Sequence, residues 1–280
     1  MSVITAGVND CHRHLGVLPP QRYYGMAEPV VPAGAAKADV EELLAQIDGE
    51  DTERALIIPN YGVPDPDVSF AFNELVVEAT TTDERLACAL WVSPRPEDEQ
   101  RTAQALKLVG ERGVKALKLT FLLGGAPDDP ACAPHLDTIF AVAREHDLVV
   151  HIHTSPGAAS DIDKVGELVE TYGDETKIHL VHLGGGVSGH IKLVGGRFFD
   201  WIEAGKQVYT DASWAIGFAP RWLAAEIERR GVGHDRILFA SDEPWSDRPG
   251  ELARMRAAMG DGELGRHVFH DNYAALYGED

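Results

Sequence analysis

Short apolar, β-rich runs recur along the whole chain, at 3–14, 54–60, 86–94, 115–121, 148–154, 177–183, 208–213 and 237–244, eight in all. Between them the apolar positions change to helical spacing. Val68, Phe72, Leu75, Val76 and Ala79 follow i, i+3/4, i+7, as do Leu136, Ile139, Phe140 and Ala143. After the first unit, successive strands lie about 30 residues apart, the size of one βα repeat, and eight such units in roughly 250 residues predict a (β/α)8 TIM barrel rather than an open doubly wound sheet. The whole chain, 1–280, reads as one barrel domain. Helix boundaries agree: Pro96 opens the third helix, Asp161 caps the fifth, Pro220 starts the seventh and Pro249 the eighth. A last helix over 263–277 closes the barrel. The stretch 17–39, rich in Pro and Gly, is too long for an ordinary βα connection and reads as an insertion after strand one. Emerging on the catalytic face, it is expected to fold over the mouth and bring Tyr23 or Tyr24 to the pocket wall. If those tyrosines face outward instead, the insertion serves a homo-oligomer contact.

Composition narrows the function. With 44% hydrophobic residues the chain buries a large core, and 25 Lys plus Arg against 45 Asp plus Glu give a net charge of −20. That field repels phosphate backbones and anionic membranes, so no nucleic-acid or membrane partner is expected and a small-molecule substrate is. No apolar run approaches a membrane span, and the opening residues lack a basic stretch followed by an apolar one, so the expected location is cytoplasmic. Cys11, Cys88 and Cys132 are too few and too scattered for a disulfide framework or a thiolate zinc site. Any metal must therefore be held by His and carboxylates.

Such side chains stand at four strand ends. Strand alternation puts Asp10, His12 and His14 on one face of the first strand, with Cys11 and Arg13 on the other, and two imidazoles two residues apart can grip one ion. An isolated pair of this kind reads equally well as polar surface. The fifth strand carries His151 and His153 in an apolar run where unpartnered imidazoles are costly; His153 is the better ligand and His151 a deeper, hydrogen-bonded core residue. The sixth ends in His182, with His179 on the opposite face as a structural residue. The eighth reaches Asp242, a ligand, a base or a helix cap.

Taken as an ordered set, Asp10-x-His12-x-His14, 115–119, His153-Thr154-Ser155, His182-Leu183-Gly184-Gly185, 237–244 and 272–278 resemble the amidohydrolase superfamily over nearly the whole chain. The nearest branch is amidohydrolase family 2, which includes aminocarboxymuconate-semialdehyde decarboxylase relatives and lactone hydrolases. The resemblance implies one divalent ion held by His12, His14, His153 and Asp242, with His182 beside it. Imidazole and carboxylate ligands suit zinc first, with manganese, iron or nickel as alternatives. Asp242 would take a proton from activated water, and His182 would donate a hydrogen bond to the substrate oxygen where charge develops.

Lys118, at the end of the fourth strand, is the position where binuclear members of the superfamily carry a carboxylated lysine. Here it is expected as an unmodified amine, a substrate-carboxylate anchor or an ion-pair partner, in a site with one metal. The run 184–189 fits the dinucleotide pattern G-x-G-x-x-G, but it follows the sixth strand rather than opening the first βα unit, so these glycines read as room for backbone near the pocket. Trp91, Trp214 and Trp245 stand at or just beyond strand ends and suggest a flat or apolar substrate, with Arg22 and Arg95 as further cations on loops and Arg13 alternating away from the barrel axis. The expected activity is metal-dependent hydrolysis of an amide or lactone. Non-oxidative decarboxylation of a small, aromatic or unsaturated acid is the alternative, and a non-catalytic or dinucleotide-binding α/β protein the third.

Overall fold

A computed structural model of the chain describes residues 7–16, 39–60 and 66–278, the side chains of 66–69 excepted. Eight strands, β1 (Val8–Leu15), β2 (Thr52–Pro59), β3 (Leu86–Val92), β4 (Val114–Leu119), β5 (Val149–Ile152), β6 (Ile178–Leu180), β7 (Val208–Asp211) and β8 (Ile237–Leu238), pair in sequence order. All seven pairings are parallel. The sheet then returns on itself. Cys11 N–H donates to the Phe239 carbonyl (2.9 Å), Asp242 N–H to that of His12 (2.8 Å) and His14 N–H to that of Glu243 (2.7 Å), so the segment after β8 closes against β1. The architecture is the (β/α)8 TIM barrel that the alternating pattern predicts.

Helices α1 (Val40–Gly49), α2 (Pro66–Thr82), α3 (Glu99–Ala105), α4 (Ala133–Glu145), α5 (Ile162–Tyr172), α6 (Gly186–Lys192), α7 (Phe198–Glu203), α8 (Ala219–Arg230) and α9 (Arg248–Met259) lie between and after the strands. Their starts obey local chemistry. Asp161 accepts from Asp163 N–H at the head of α5, Asp247 from Gly250 N–H at α9, and proline occupies the first turns of α8 and α9. Pro96 opens a 3-10 turn that leads into α3. The strands are buried on both faces, which is why they read as nearly continuous apolar runs. One face packs on the helices through residues such as Ile57, Leu90, Leu117, Val150 and Phe239; the inner face holds Leu56, Ile58, Ala89, Val149 and Leu238.

The last helical segment consists of α10 (Glu263–Arg266), a π-helical turn over His267–Asp271 and α11 (Asn272–Tyr277). It does close the barrel, at the floor where the strands begin: Tyr273, Leu276 and Tyr277 join the inner cluster, and Asn272 Nδ2 donates to the Ile237 and His234 carbonyls (2.7 and 2.8 Å). Of the insertion 17–39, all but Asp39 lies outside the described residues, and with it Tyr23, Tyr24 and Arg22; Asp39 caps α1 by accepting from Glu42 N–H. Among the described residues no helix is long and apolar enough to cross a membrane. Asn272→Ala strips the buried Ile237 carbonyl and the half-buried His234 carbonyl of this donor, and the expected loss of stability is about 1–3 kcal/mol, read as a lowered urea midpoint. A midpoint within error of the parent would show that these bonds do not hold the floor in place.

Candidate metal centre

The first strand does not alternate cleanly. Pairing of β1 with β2 slips between Asp10 and Arg13, where three steps on β1 match two on β2, the signature of a β-bulge. Its effect corrects the face assignment made from strict alternation. Cys11 joins the inner cluster, while Asp10 turns away and accepts from the backbone N–H of Ser241 (3.0 Å) and His12 (3.2 Å), with Arg13 and Arg248 as its nearest cations. Arg13 leaves the barrel and binds Glu50 and Gln46 (2.9 Å each). After the bulge, His12 and His14 both face the mouth.

There they meet Asp242. His12 Nε2 lies 3.1 Å from His14 Nε2 and 3.1 Å from Asp242 Oδ1, and His14 Nε2 lies 3.0 Å from the same oxygen. Burial holds the His12 imidazole well below its ordinary pKa, with Lys118 and the neighbouring histidines lowering it further, so the ring is neutral. His14 Nδ1 sits 3.3 Å from the Pro59 carbonyl, which can only accept; a neutral ring there carries its lone pair on Nε2. That lone pair points at a carboxylate oxygen, an arrangement repulsive unless a cation or proton lies between them. Ligand atoms about 2.1 Å from a common ion stand roughly 3.0–3.4 Å apart, which the three separations match. These residues therefore fit a divalent ion.

His153 and His182 complete the rim differently. His153 follows β5 directly, its N–H donating to the Leu119 carbonyl (3.0 Å), and its ring lines the pocket with Nδ1 buried and without a partner. Among the described residues His12, His14 and Asp242 bring ligand atoms within 4.8 Å of one another, as do Cys11, His151 and His179 deeper in the barrel, and His153 stands beside the trio rather than within it. Burial keeps it neutral as well, pushing its pKa well below the ordinary value. In β6, alternation again fails. His179 and His182 both face inward, because the chain kinks after Leu180 with His182 and Leu183 in the left-handed region (φ +66° and +50°). His179 is structural, as expected: Asp211 Oδ2 and Tyr277 OH occupy its two nitrogens at 3.0 Å each. The kink needs glycine next to it. At Gly185 (φ +73°) a Cβ would stand 2.5 Å from Ser155 Cα, so the glycines after β6 do make room for backbone. His151 is fully buried beside His179 and His12, and neither of its nitrogens has a partner; the hydrogen bonds expected for it are missing.

Three residues at the end of β7 were not singled out for this role by the sequence. Asp211 accepts from His179, from Ser213 Oγ–H (2.5 Å) and from Ser213 N–H (2.9 Å); burial pushes its pKa up, but these partners and His182 outweigh it and hold it at about 2. Ser213 Oγ lies 2.8 Å from His182 Nδ1. Trp214 Nε1 donates to Asp242 Oδ2 at 2.5 Å, so this tryptophan orders the carboxylate besides walling the pocket. The signal was the polar Asp-x-Ser-Trp run at a strand's C-terminal end.

Above the trio lies a cavity of about 430 Å³, lined by His14, His153, His182 and Asp242 and by apolar surfaces that include Leu122, Trp214 and Trp245. Trp245 takes its expected place, its ring 6.4 Å from that of His14 and its Nε1 donating to Asn60 Oδ1. Trp91 does not. It is buried against Phe70, with its backbone pinned by Asn73, away from the cavity. Lys118 also misses the cavity: it is fully enclosed below it, its Nζ has no hydrogen-bond partner, and burial lowers its pKa to about 8. Among the described residues that line the cavity Lys118 is not one, and no contact with the cavity supports the anchoring role expected of it. Arg95 is taken up by Asp98 and the Leu123 carbonyl.

Solved structures share this fold. A 2,6-dihydroxybenzoate decarboxylase from Rhizobium superposes with a TM-score of 0.70 at 14% identity, over 98% of this chain and 99% of its own. A probable 2-pyrone-4,6-dicarboxylic acid hydrolase from Acinetobacter baumannii gives 0.64 at 14%, over 98% and 100%. A dihydroxybenzoic acid decarboxylase from a Polaromonas species, with bound manganese and 2-nitroresorcinol, gives 0.65 at 13%, over 98% and 97%. Among curated proteins none matches this chain in sequence. The family model described as Amidohydrolase matches residues 9–278, and the chain, with its barrel and its rim of histidines ending in Asp242, belongs to that family.

Proposed function

We propose that this protein is a metal-dependent hydrolase that opens an amide or lactone bond of a small, largely apolar substrate. The observation that carries the reading is the convergence of His12 Nε2, His14 Nε2 and Asp242 Oδ1 within 3.1 Å of one another at the foot of an apolar cavity. His12, His14 and Asp242 would hold the ion, with His153 as the fourth ligand from the same rim. Zinc is the first choice by ligand type, and manganese, which the Polaromonas relative binds, the second. A divalent ion there supplies Lewis acidity, polarising a carbonyl oxygen and acidifying water. The chain supplies the rest. Asp242 accepts the proton of the attacking water and passes it to the leaving nitrogen or oxygen, while Trp214 fixes the carboxylate through Oδ2. Leu122, Trp214 and Trp245 hold the substrate and keep bulk water out. Among the described lining residues none is Lys or Arg, which favours a substrate without a carboxylate of its own.

Decarboxylation is the second reading, favoured by the tryptophan-walled cavity, which suits a flat ring, and by the hydroxybenzoate decarboxylases among the structural relatives. One isotopic experiment separates the two. With dihydrocoumarin as lactone probe in ¹⁸O-labelled water, hydrolysis places label in the product carboxylate; with 2,6-dihydroxybenzoate, decarboxylation releases CO₂ and leaves a new C–H bond. Label in the ring-opened acid and no CO₂ is the expected result, and CO₂ release without lactone opening would reverse the assignment.

Metal analysis tests the ligand set. The purified protein is expected to carry a divalent ion, and His12→Ala or His153→Ala to weaken its binding by about 100-fold or more, since each removes a direct bond. Full occupancy in both variants would end the assignment. Asp242→Asn retains an oxygen donor but cannot accept a proton, so the metal is expected to stay while turnover falls about 10²–10⁴-fold. Unchanged turnover would show that another group is the base.

A further inference from the structure

The tip of β7 does more than wall the cavity. Asp211 is wholly buried, and its carboxylate is surrounded by donors: His179 Nε2 on Oδ2, and on Oδ1 the N–H of Ser213 (2.9 Å), the N–H of His182 (3.4 Å) and the Ser213 hydroxyl (2.5 Å). It is an acceptor at every contact. Two oxygens 2.5 Å apart need a proton between them, and with Asp211 ionised that proton is the serine's own. The Ser213 hydroxyl is thereby spent, so toward His182 Nδ1, 2.8 Å away, Ser213 Oγ has only lone pairs to offer.

From this chain of donors we infer that Asp211 and Ser213 are positioning residues that hold neutral His182 as its Nδ1–H tautomer, presenting the Nε2 lone pair to the cavity. Nε2 is the ring atom nearest the trio, 3.9 Å from Asp242 Oδ2. The consequence revises the donor role expected for His182: the neutral ring accepts at Nε2, and it donates there only after it has taken up a proton. On the hydrolase reading, on which this step rests, His182 Nε2 accepts a hydrogen bond from the attacking water or from a substrate hydroxyl and orients it, while Asp242 takes the proton. The backbone agrees with a built device. His182 sits at φ +66° and Trp214, next to Ser213, at φ +57°, conformations that are strained in non-glycine residues and persist where the surroundings enforce them.

The tautomer is read directly by two-bond ¹H–¹⁵N correlation spectra of ¹⁵N-histidine-labelled protein, at a pH where the ring is neutral, with the His182 signals assigned by their loss in His182→Gln. Spectra are taken after chelator treatment and again after zinc loading, with no substrate, so the outcome is independent of the hydrolase reading. Expected are a protonated Nδ1 and an unprotonated Nε2 in both states, retention of that pattern in Ser213→Thr, and its loss in Ser213→Ala, where protonation moves toward Nε2. A parent spectrum with Nε2 protonated overturns the inference without recourse to any variant. So does a Ser213→Ala spectrum with the parent pattern, and so does a zinc-dependent shift of Nε2, which would make His182 a ligand rather than a free acceptor.

Discussion

Three atoms able to bind a metal ion, His12 Nε2, His14 Nε2 and Asp242 Oδ1, face one another at 3.0–3.1 Å on almost wholly buried side chains. With all three unprotonated they repel, and burial opposes protonation of His12, whose pKa it pushes far down. A cation resolves the conflict. The barrel supplies the constraint that keeps the atoms together: β1 and the segment after β8 are hydrogen-bonded neighbours, so residues at opposite ends of the sequence are held edge to edge by the Asp242-to-His12 and His14-to-Glu243 backbone bonds. Closing the sheet and building the site are one event.

The same rim concentrates unusual backbone. His182, Leu183, Trp214 and Asp242 are all left-handed at non-glycine positions, and Gly185 approaches Ser155 too closely for any side chain. Such conformations are maintained by their surroundings, here the Asp211 carboxylate under the β6 kink and the indole of Trp214 against Asp242. One short segment after β7 thus orders two side chains from other strands, His182 through Ser213 and Asp242 through Trp214. Below, the Tyr277–His179–Asp211 bonds connect this network to the helix that closes the floor.

Much of this was legible from residue patterns because burial on both faces leaves continuous apolar runs, and because strand ends in a barrel converge on one rim. His12, His14 and Asp242 could be found for that reason. Local deviations from regular geometry could not. The bulge between Asp10 and Arg13 carries Cys11 inward, and the kink at His182 returns that residue to the mouth, so period-two alternation misplaced Cys11 and separated His179 from His182. Depth was equally hidden: Trp91, Lys118 and Trp245 all stand at or near strand ends, yet only Trp245 reaches the cavity, because the first two project into the packed interior. Asp211 and Ser213 escaped notice since their importance lies in which proton each gives, a property of contacts rather than of sequence spacing.

The central claim is that a single divalent ion relieves the lone-pair conflict at the end of β1, and an anomalous-difference map from crystals of the metal-loaded protein tests it most directly. The account predicts one peak, in contact with His12 Nε2, His14 Nε2 and Asp242 Oδ1. No peak in crystals of protein with measured metal content, or a peak bound elsewhere while these three atoms keep their present spacing, would contradict it.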